Sequence, residues 1–347
     1  IESVHISFCL NISEILILML LYTYKGEIKS LVWTDTFQSL FLVLGVVVCI
    51  GVIISKMDIG FGTAVSNIAN SEYSKTFFWD WHKSNFFVKE FIGGIFIAVA
   101  MTGLDQNMMQ KNLSCKSLGD AQKNIFWFSV VMVIVNVFFL ALGVLLYQYY
   151  AHAAIELPIN SETGKIITDK VFPNLALNHL GVFAGLIFII GLTAATFSSA
   201  DSVLTTLTTS TYIDMLEYDR NTVLSEEQKA KRRTYIHIGF AFILWLVIIV
   251  FDVLNQRAII DTILMLAGYT YGPLLGLFAI GLFTKQNLND KLVPIICVLA
   301  PIVTYVFANY VVKTMTSYEI GNELILINAG ITMLGLVFAR DNKVVIS

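Results

Sequence analysis

The chain has 347 residues, of which 56% are hydrophobic, 13% aromatic and only 14% Asp, Glu, Lys or Arg, with a mean hydropathy of +0.75. Soluble domains carry about 25% charged residues, so this composition excludes a soluble enzyme, a nucleic-acid-binding protein and a disordered chain. The net charge of −3 points to no partner, and the long continuous apolar runs exclude a barrel of short alternating strands, which leaves an all-α multi-pass membrane protein.

In chain order, apolar runs long enough to cross about 30 Å of hydrocarbon predict nine spans, near 8–24, 36–55, 91–110, 125–150, 180–213, 234–254, 258–283, 292–313 and 322–339. The chain opens at Ile1, close to a span and without the features of a signal peptide, so further sequence is expected upstream. The third span turns polar at Thr102-Gly103-Leu104-Asp105-Gln106, which predicts a broken or early-ending helix. The seventh carries Gly268, Gly272 and Pro273 in GYTYGP and is expected to be interrupted in the same way. Cys9, Cys49, Cys115 and Cys297 have no CxxC spacing and read as small apolar residues, not as a disulfide framework or transition-metal site.

Nine spans place the loops on alternating sides. One side receives fourteen of the 22 Lys and Arg residues, the other eight. The richer side, with Lys111, Lys116, Lys123, Arg232 and Arg233, is predicted to be cytoplasmic. Its longest loop, Leu216 to Thr234, is highly charged and reads as a solvated connector.

Ionisable groups within spans are costly and face a cavity or a partner. Glu14 has no evident partner. Asp252 and Asp261 flank a short outer loop. Asp35 reads either as a cap or first-turn carboxylate of its helix or as a functional group. Asp201 is the most informative. Ala195, Ser198, Ser199 and Ser202 recur at helical spacing and form one stripe. Asp201 borders that stripe, and Thr205 and Thr206 extend it. Hydroxyls alone are accounted for by close packing or bonds to i−4 carbonyls, but a carboxylate among them is not. Hydroxyls, carbonyls and one carboxylate form a ligand set suited to a hard monovalent cation such as Na⁺. Enzyme chemistry finds no support: the five histidines are scattered, and no HExxH, GxSxG or Walker-type segment is present.

Three motifs resemble the sodium/solute symporter family. They are Val32-Trp33-Thr34-Asp35-Thr36-Phe37-Gln38, then Gly103-Leu104-Asp105-Gln106 followed by Gln110, and then Ala194 to Ser202 followed by Ile213-Asp214. The resemblance covers about residues 8–285. It implies part of the inverted five-plus-five helix fold of leucine-type transporters, forming one membrane domain over 1–347. The chain would begin near core helix 4 and lack the first helices. Residues 36–55 would be core helix 5, 91–110 core helix 6, 180–213 core helix 8 and 258–283 core helix 10, followed by two trailing helices.

The resemblance also implies the site residues. Ala195, Ser198 and Ser199 match the family's conserved sodium site. Asp35, Asp201 and Ser202 match a second sodium site found in some members. Substrate-facing positions fall at Ala98, Met101 and Met132, which depart from the pattern of sugar-transporting members, and at Thr102 beside the break. The implied function is sodium-coupled symport of a small organic solute across the plasma membrane, with Na⁺ as the coupling ion, no cofactor and no nucleic-acid partner. The alternative is a sensing domain of the same fold that binds without transport. Half of the sodium site would come from core helices 1 to 3, so this segment alone is expected not to transport.

Overall fold

The computed structural model describes residues 2–23, 28–160, 164–254 and 258–339. In chain order the helices are α1 (Glu2–Thr23), α2 (Ile28–Lys56), α3 (Phe61–Ala69), α4 (Phe87–Val99), α5 (Gln106–Leu113), α6 (Leu118–His152) and α7 (Thr168–Asn178). They continue with α8 (Val182–Ser210), α9 (Glu226–Leu254), α10 (Ile259–Phe283), α11 (Val293–Val306), the short α12 (Lys313–Met315) and α13 (Leu324–Phe338). Wider π-turns extend three of them, at Ala100–Leu104, Thr211–Met215 and Phe307–Val312. Among the described residues, seven helical stretches are long and apolar enough to cross a membrane, and Phe8–Leu21 and Leu324–Phe338 are shorter apolar helices. All nine expected spans therefore correspond to apolar helices.

The chain divides into two compact units, residues 1–74 with 115–256 and residues 75–114 with 257–347. In the first unit, α2 lies along α8. The two helices can approach because α8 has Gly191 at the crossing, where an added Cβ would sit 3.4 Å from Leu42 Cα and Phe41 O. A core of Val46, Cys49 and Ile53 from α2, Leu142, Leu145 and Tyr150 from α6, and Val171 and Leu175 from α7 closes one end of this unit. The Tyr150 hydroxyl donates to Val171 O at 3.0 Å, so a phenol is buried there with its polar end satisfied. On the other side, Ile12, Leu16 and Met19 of α1 pack against Phe197 and Ala200 of α8 and Leu244, Trp245 and Ile248 of α9. Trp245 Nε1 donates to Ser13 Oγ at 3.1 Å across that seam.

In the second unit, α10 and α13 are the main partners, and the interruption expected at GYTYGP does not occur. α10 is one helix from Ile259 to Phe283 with Pro273 inside it. Proline has no N–H, so the carbonyl four residues earlier, at Tyr269, loses its intrahelical donor. Asn328 of α13 supplies one from outside, with Nδ2 2.7 Å from Tyr269 O and 3.1 Å from Gly268 O. Gly272 makes the room, because a Cβ there would lie 2.5 Å from the Asn328 side chain. The Asn328 Oδ1 lies 3.1 Å from Thr304 Oγ1 of α11, and Asn328 and Thr304 are fully buried.

The start of α4 is fixed by a second polar cluster. Lys89 is 8% exposed. Its Nζ donates to Lys83 O at 3.0 Å and Glu319 O at 2.9 Å, lies 3.8 Å from Glu323, and sits 3.6 Å from the centre of the Tyr318 ring. Asn322 Nδ2 donates to Glu90 Oε2 at 2.6 Å. With those partners the helix starts at Phe87, four residues ahead of the expected span.

The charged 216–234 segment is also more ordered than expected, since α9 begins at Glu226. Ser225 and Gln228 form a reciprocal cap, with Ser225 N–H donating to Gln228 Oε1 at 3.1 Å and Gln228 N–H to Ser225 Oγ at 3.3 Å. Lys229–Glu226 and Lys231–Glu227 pairs at 3.0 and 2.9 Å follow on the first turns.

Candidate functional site

The stripe predicted for the cation lies on α8, which stays helical through it and ends in the π-turn. Ala195, Ser198 and Ser202 are half-buried, Ser199 is exposed, and Asp201 is 3% exposed. Two other hydroxyls of this helix, on Thr196 and Thr208, bond back to Leu192 O and Leu204 O, the ordinary use of a hydroxyl in an apolar helix. Thr208 Oγ1 also lies 3.0 Å from His237 Nδ1, which ties α8 to α9. A carboxylate as buried as Asp201 is costly unless hydrogen bonds, a proton or a cation balance its charge.

The register of α2 against α8 sets two polar positions of α2 level with the stripe. Leu42 meets Gly191 and Gly45 meets Ile187, so the two helices run antiparallel. At an equal rise per residue, that register sets Gln38 level with Ala195 and Asp35 level with Ser198. Gln38 is a residue that sequence reasoning quoted only as part of a motif. Its Oε1 is buried and has no hydrogen-bond partner among the described residues. Asp35 lies two turns inside α2, which starts at Ile28, so the cap and first-turn readings do not hold; its side chain lies outside the described residues. Two antiparallel helices thus place positions 35, 38, 195, 198, 201 and 202 within about 10 Å of one another along the helix axis in the first unit. Glu14, by contrast, is exposed on α1, away from the face formed by Ile12, Leu16 and Met19. Asp252 and Asp261 are exposed at the ends of α9 and α10.

The helix break expected near Gly103 is present and falls at Asp105. α4 widens into the π-turn, Asp105 is extended at φ −70° and ψ 128°, and α5 begins at Gln106. The Asp105 carboxylate caps α5, accepting from the N–H groups of Asn107 at 3.0 Å and Met108 at 3.2 Å. Its other oxygen accepts from the Tyr271 hydroxyl at 2.7 Å. Two of the N–H groups that make a helix N-terminus attract anions, those of Asn107 and Met108, are therefore taken by the chain's own carboxylate.

Of the expected substrate positions, Ala98 is exposed near the end of α4, and Met101 and Thr102 are half-buried in the π-turn. Met101 packs against Ile97, Ala100 and Ile325. Met132 belongs to the other unit and is 43% exposed on α6. Among the described residues, no group of three or more His, Cys, Asp and Glu side chains is placed to hold a metal ion. Any cation on α8 would instead be held by hydroxyls, carbonyls and isolated carboxylates.

Comparison with known proteins identifies relatives of this chain. A model of the sodium:solute symporter family matches residues 2–291. The sodium/sialic acid symporter NanT of Aliivibrio fischeri is 26% identical over 291 residues, covering 82% of this chain and 56% of the relative. SiaT of Proteus mirabilis, also a sodium/sialic acid symporter, is 26% identical over 283 residues, covering 81% and 56%. The human sodium-coupled monocarboxylate transporter 1 is 27% identical over 274 residues, covering 75% and 42%. The chain thus spans little more than half the length of these bacterial relatives. A solved structure of a sodium-coupled sialic acid symporter, substrate-bound and outward-open, superposes with a TM-score of 0.75 at 22% identity, covering 96% of this chain and 68% of that one, and so shares its fold. By the extent of the family match, this chain belongs to the sodium:solute symporter family, whose members are membrane transporters and not enzymes.

Proposed function

We propose that this chain forms part of a bacterial plasma-membrane symporter that couples inward sodium to the uptake of a small organic solute. The observation that carries the reading is the α2–α8 register, which sets Asp35 level with Ser198 and within a turn of the buried Asp201. Ala195, Ser198 and Ser199 form one sodium site on this reading. Asp35, Asp201 and Ser202 form a second, and Gln38 Oε1 is a further oxygen level with Ala195 of the first. Binding of sodium would favour one conformation of the helices around the solute, and reopening on the other side would release both.

An organic monocarboxylate is the solute class best supported. The relatives named above include sialic acid symporters and a monocarboxylate transporter, and sialic acids carry a carboxylate. Ala98, Met101 and Met132 offer no sugar-type polar contact; Thr102 is the polar side chain beside the break. The α5 N-terminus is a poor place for the solute's carboxylate, because the Asn107 and Met108 N–H groups serve Asp105.

Charge counting separates the two sodium sites. One Na⁺ moved with one monocarboxylate carries no net charge. A second Na⁺ makes each cycle carry one positive charge, which gains about 2.3 kcal/mol per 100 mV.

The test is uptake of labelled sialic acid, lactate and glucose into proteoliposomes containing the full-length protein, with an inward sodium gradient or with choline in its place. Uptake of an acid with sodium and not with choline is expected. Failure of every solute to respond to sodium would overturn the reading. Persistence of uptake with an unchanged sodium half-saturation in Ser199→Ala would remove the site assignment alone.

A further inference from the structure

We propose that Tyr271 is a positioning residue, and that its hydrogen bond to Asp105 makes the half-helix α5 move with α10 as one body. The inference rests on the transport reading only for its consequence, since the tether itself is a matter of geometry.

Asp105 is the residue at which the helix breaks, and everything C-terminal to it in α5 depends on how it is held. One of its oxygens, Oδ1, accepts the Asn107 and Met108 N–H groups, and its carbonyl accepts the Met109 N–H at 2.9 Å. Those bonds fix α5 to Asp105 but do not fix Asp105 to anything else. The other oxygen, Oδ2, makes that connection, at 2.7 Å from Tyr271 Oη. A bond of this length to a carboxylate is in the strong, charge-assisted range.

The Tyr271 ring is itself held. It packs with Leu104, Met101, Leu264 and Leu275 against Ile97, Ala100 and Ile325. Tyr271 also directly precedes Gly272 and Pro273, the stretch of α10 that Asn328 secures to α13. The sequence thus sends one side of a single turn of α10 to the break and the other side to the trailing helix. An eight-residue helix is marginal by itself, so α5 needs an anchor at its N-terminus, and this is a specific one.

Tyr271→Phe tests the tether, because it deletes the hydroxyl and keeps the ring in its apolar cluster. Hydrogen exchange of the full-length protein is measured by mass spectrometry over 106–113. Losing a hydrogen bond to a charged group should speed exchange in α5 about tenfold while leaving α8 unchanged. Asp105→Asn, which weakens the same acceptor, should act in the same direction. In transport assays the maximal rate should fall several-fold in Tyr271→Phe with the sodium half-saturation unaltered, because the mutation does not touch α8. Unchanged exchange over 106–113 in both variants overturns the proposal. If exchange rises but the wild-type protein carries no solute, the tether stands and the transport reading fails.

Discussion

Removing the side chain of Asn328 should expose the cost of carrying a proline in the middle of α10. In Asn328→Ala, Tyr269 O loses its 2.7 Å donor and Gly268 O its 3.1 Å donor, while Thr304 keeps its bond to Ala300 O. Interhelical hydrogen bonds in membranes average about 0.6 kcal/mol each and reach about 1.7. A carbonyl left buried without a partner costs about 1–3 kcal/mol, and the two effects overlap at Tyr269. The expected loss is about 2–3 kcal/mol, read as a fall of several degrees in the unfolding transition followed by tryptophan fluorescence in detergent at a fixed scan rate.

The decisive arm is a double-mutant cycle. Pro273→Ala restores the N–H that can reach Tyr269 O within the helix, so Asn328→Ala in that background should cost about 1 kcal/mol less. Equal costs in the two backgrounds would show that Asn328 is not replacing the donor that proline removes.

Adjacent glycines in α4 should respond oppositely. A Cβ on Gly93 would lie 2.6 Å from the backbone of Asn322, which cannot yield, whereas one on Gly94 meets nothing within 4 Å. Gly93→Ala should destabilise by about 3 kcal/mol, and Gly94→Ala should be neutral or gain up to about 1 kcal/mol in helix propensity, by the same melting assay. Asp201→Asn should raise the sodium concentration for half-maximal uptake or abolish uptake; an unchanged sodium titration would remove Asp201 from the ion's surroundings. Outside the membrane-spanning helices, Lys83 donates to Glu319 at 2.8 Å and, with the Ser84 N–H, holds that carboxyl below its usual range. The pair's contribution is complete above the ordinary carboxylate pKa and fades as pH falls through the lowered one. The melting temperatures of Lys83→Met and wild type should therefore converge in acid; a difference that persists there would refute this.

The apolar runs made the helices legible, because a membrane demands long uninterrupted hydrocarbon-soluble segments with their backbone bonds made internally. Boundaries were less so. α9 starts at Glu226 because of a cap between Ser225 and Gln228, whose S-x-x-Q spacing was there to read but was masked by the surrounding charge. α4 starts early because Lys89 and Glu90 find partners more than 200 residues away. The continuity of α10 was not readable at all: Gly and Pro state what the helix lacks, and only Asn328, more than fifty residues on, states what replaces it. The candidate site was half legible. Hydroxyl spacing marked α8 and motif resemblance marked Asp35, but setting the two level with each other needed the crossing at Gly191.

The enclosure of Lys89 has a practical side. An ammonium wrapped by two carbonyls, a carboxylate and an aromatic face is out of reach of amine-reactive reagents, whereas Lys83, 56% exposed, is open to them. Biotinylation maps of this face would tag Lys83 and miss Lys89, six residues on, and would set the apparent waterline of α4 too shallow.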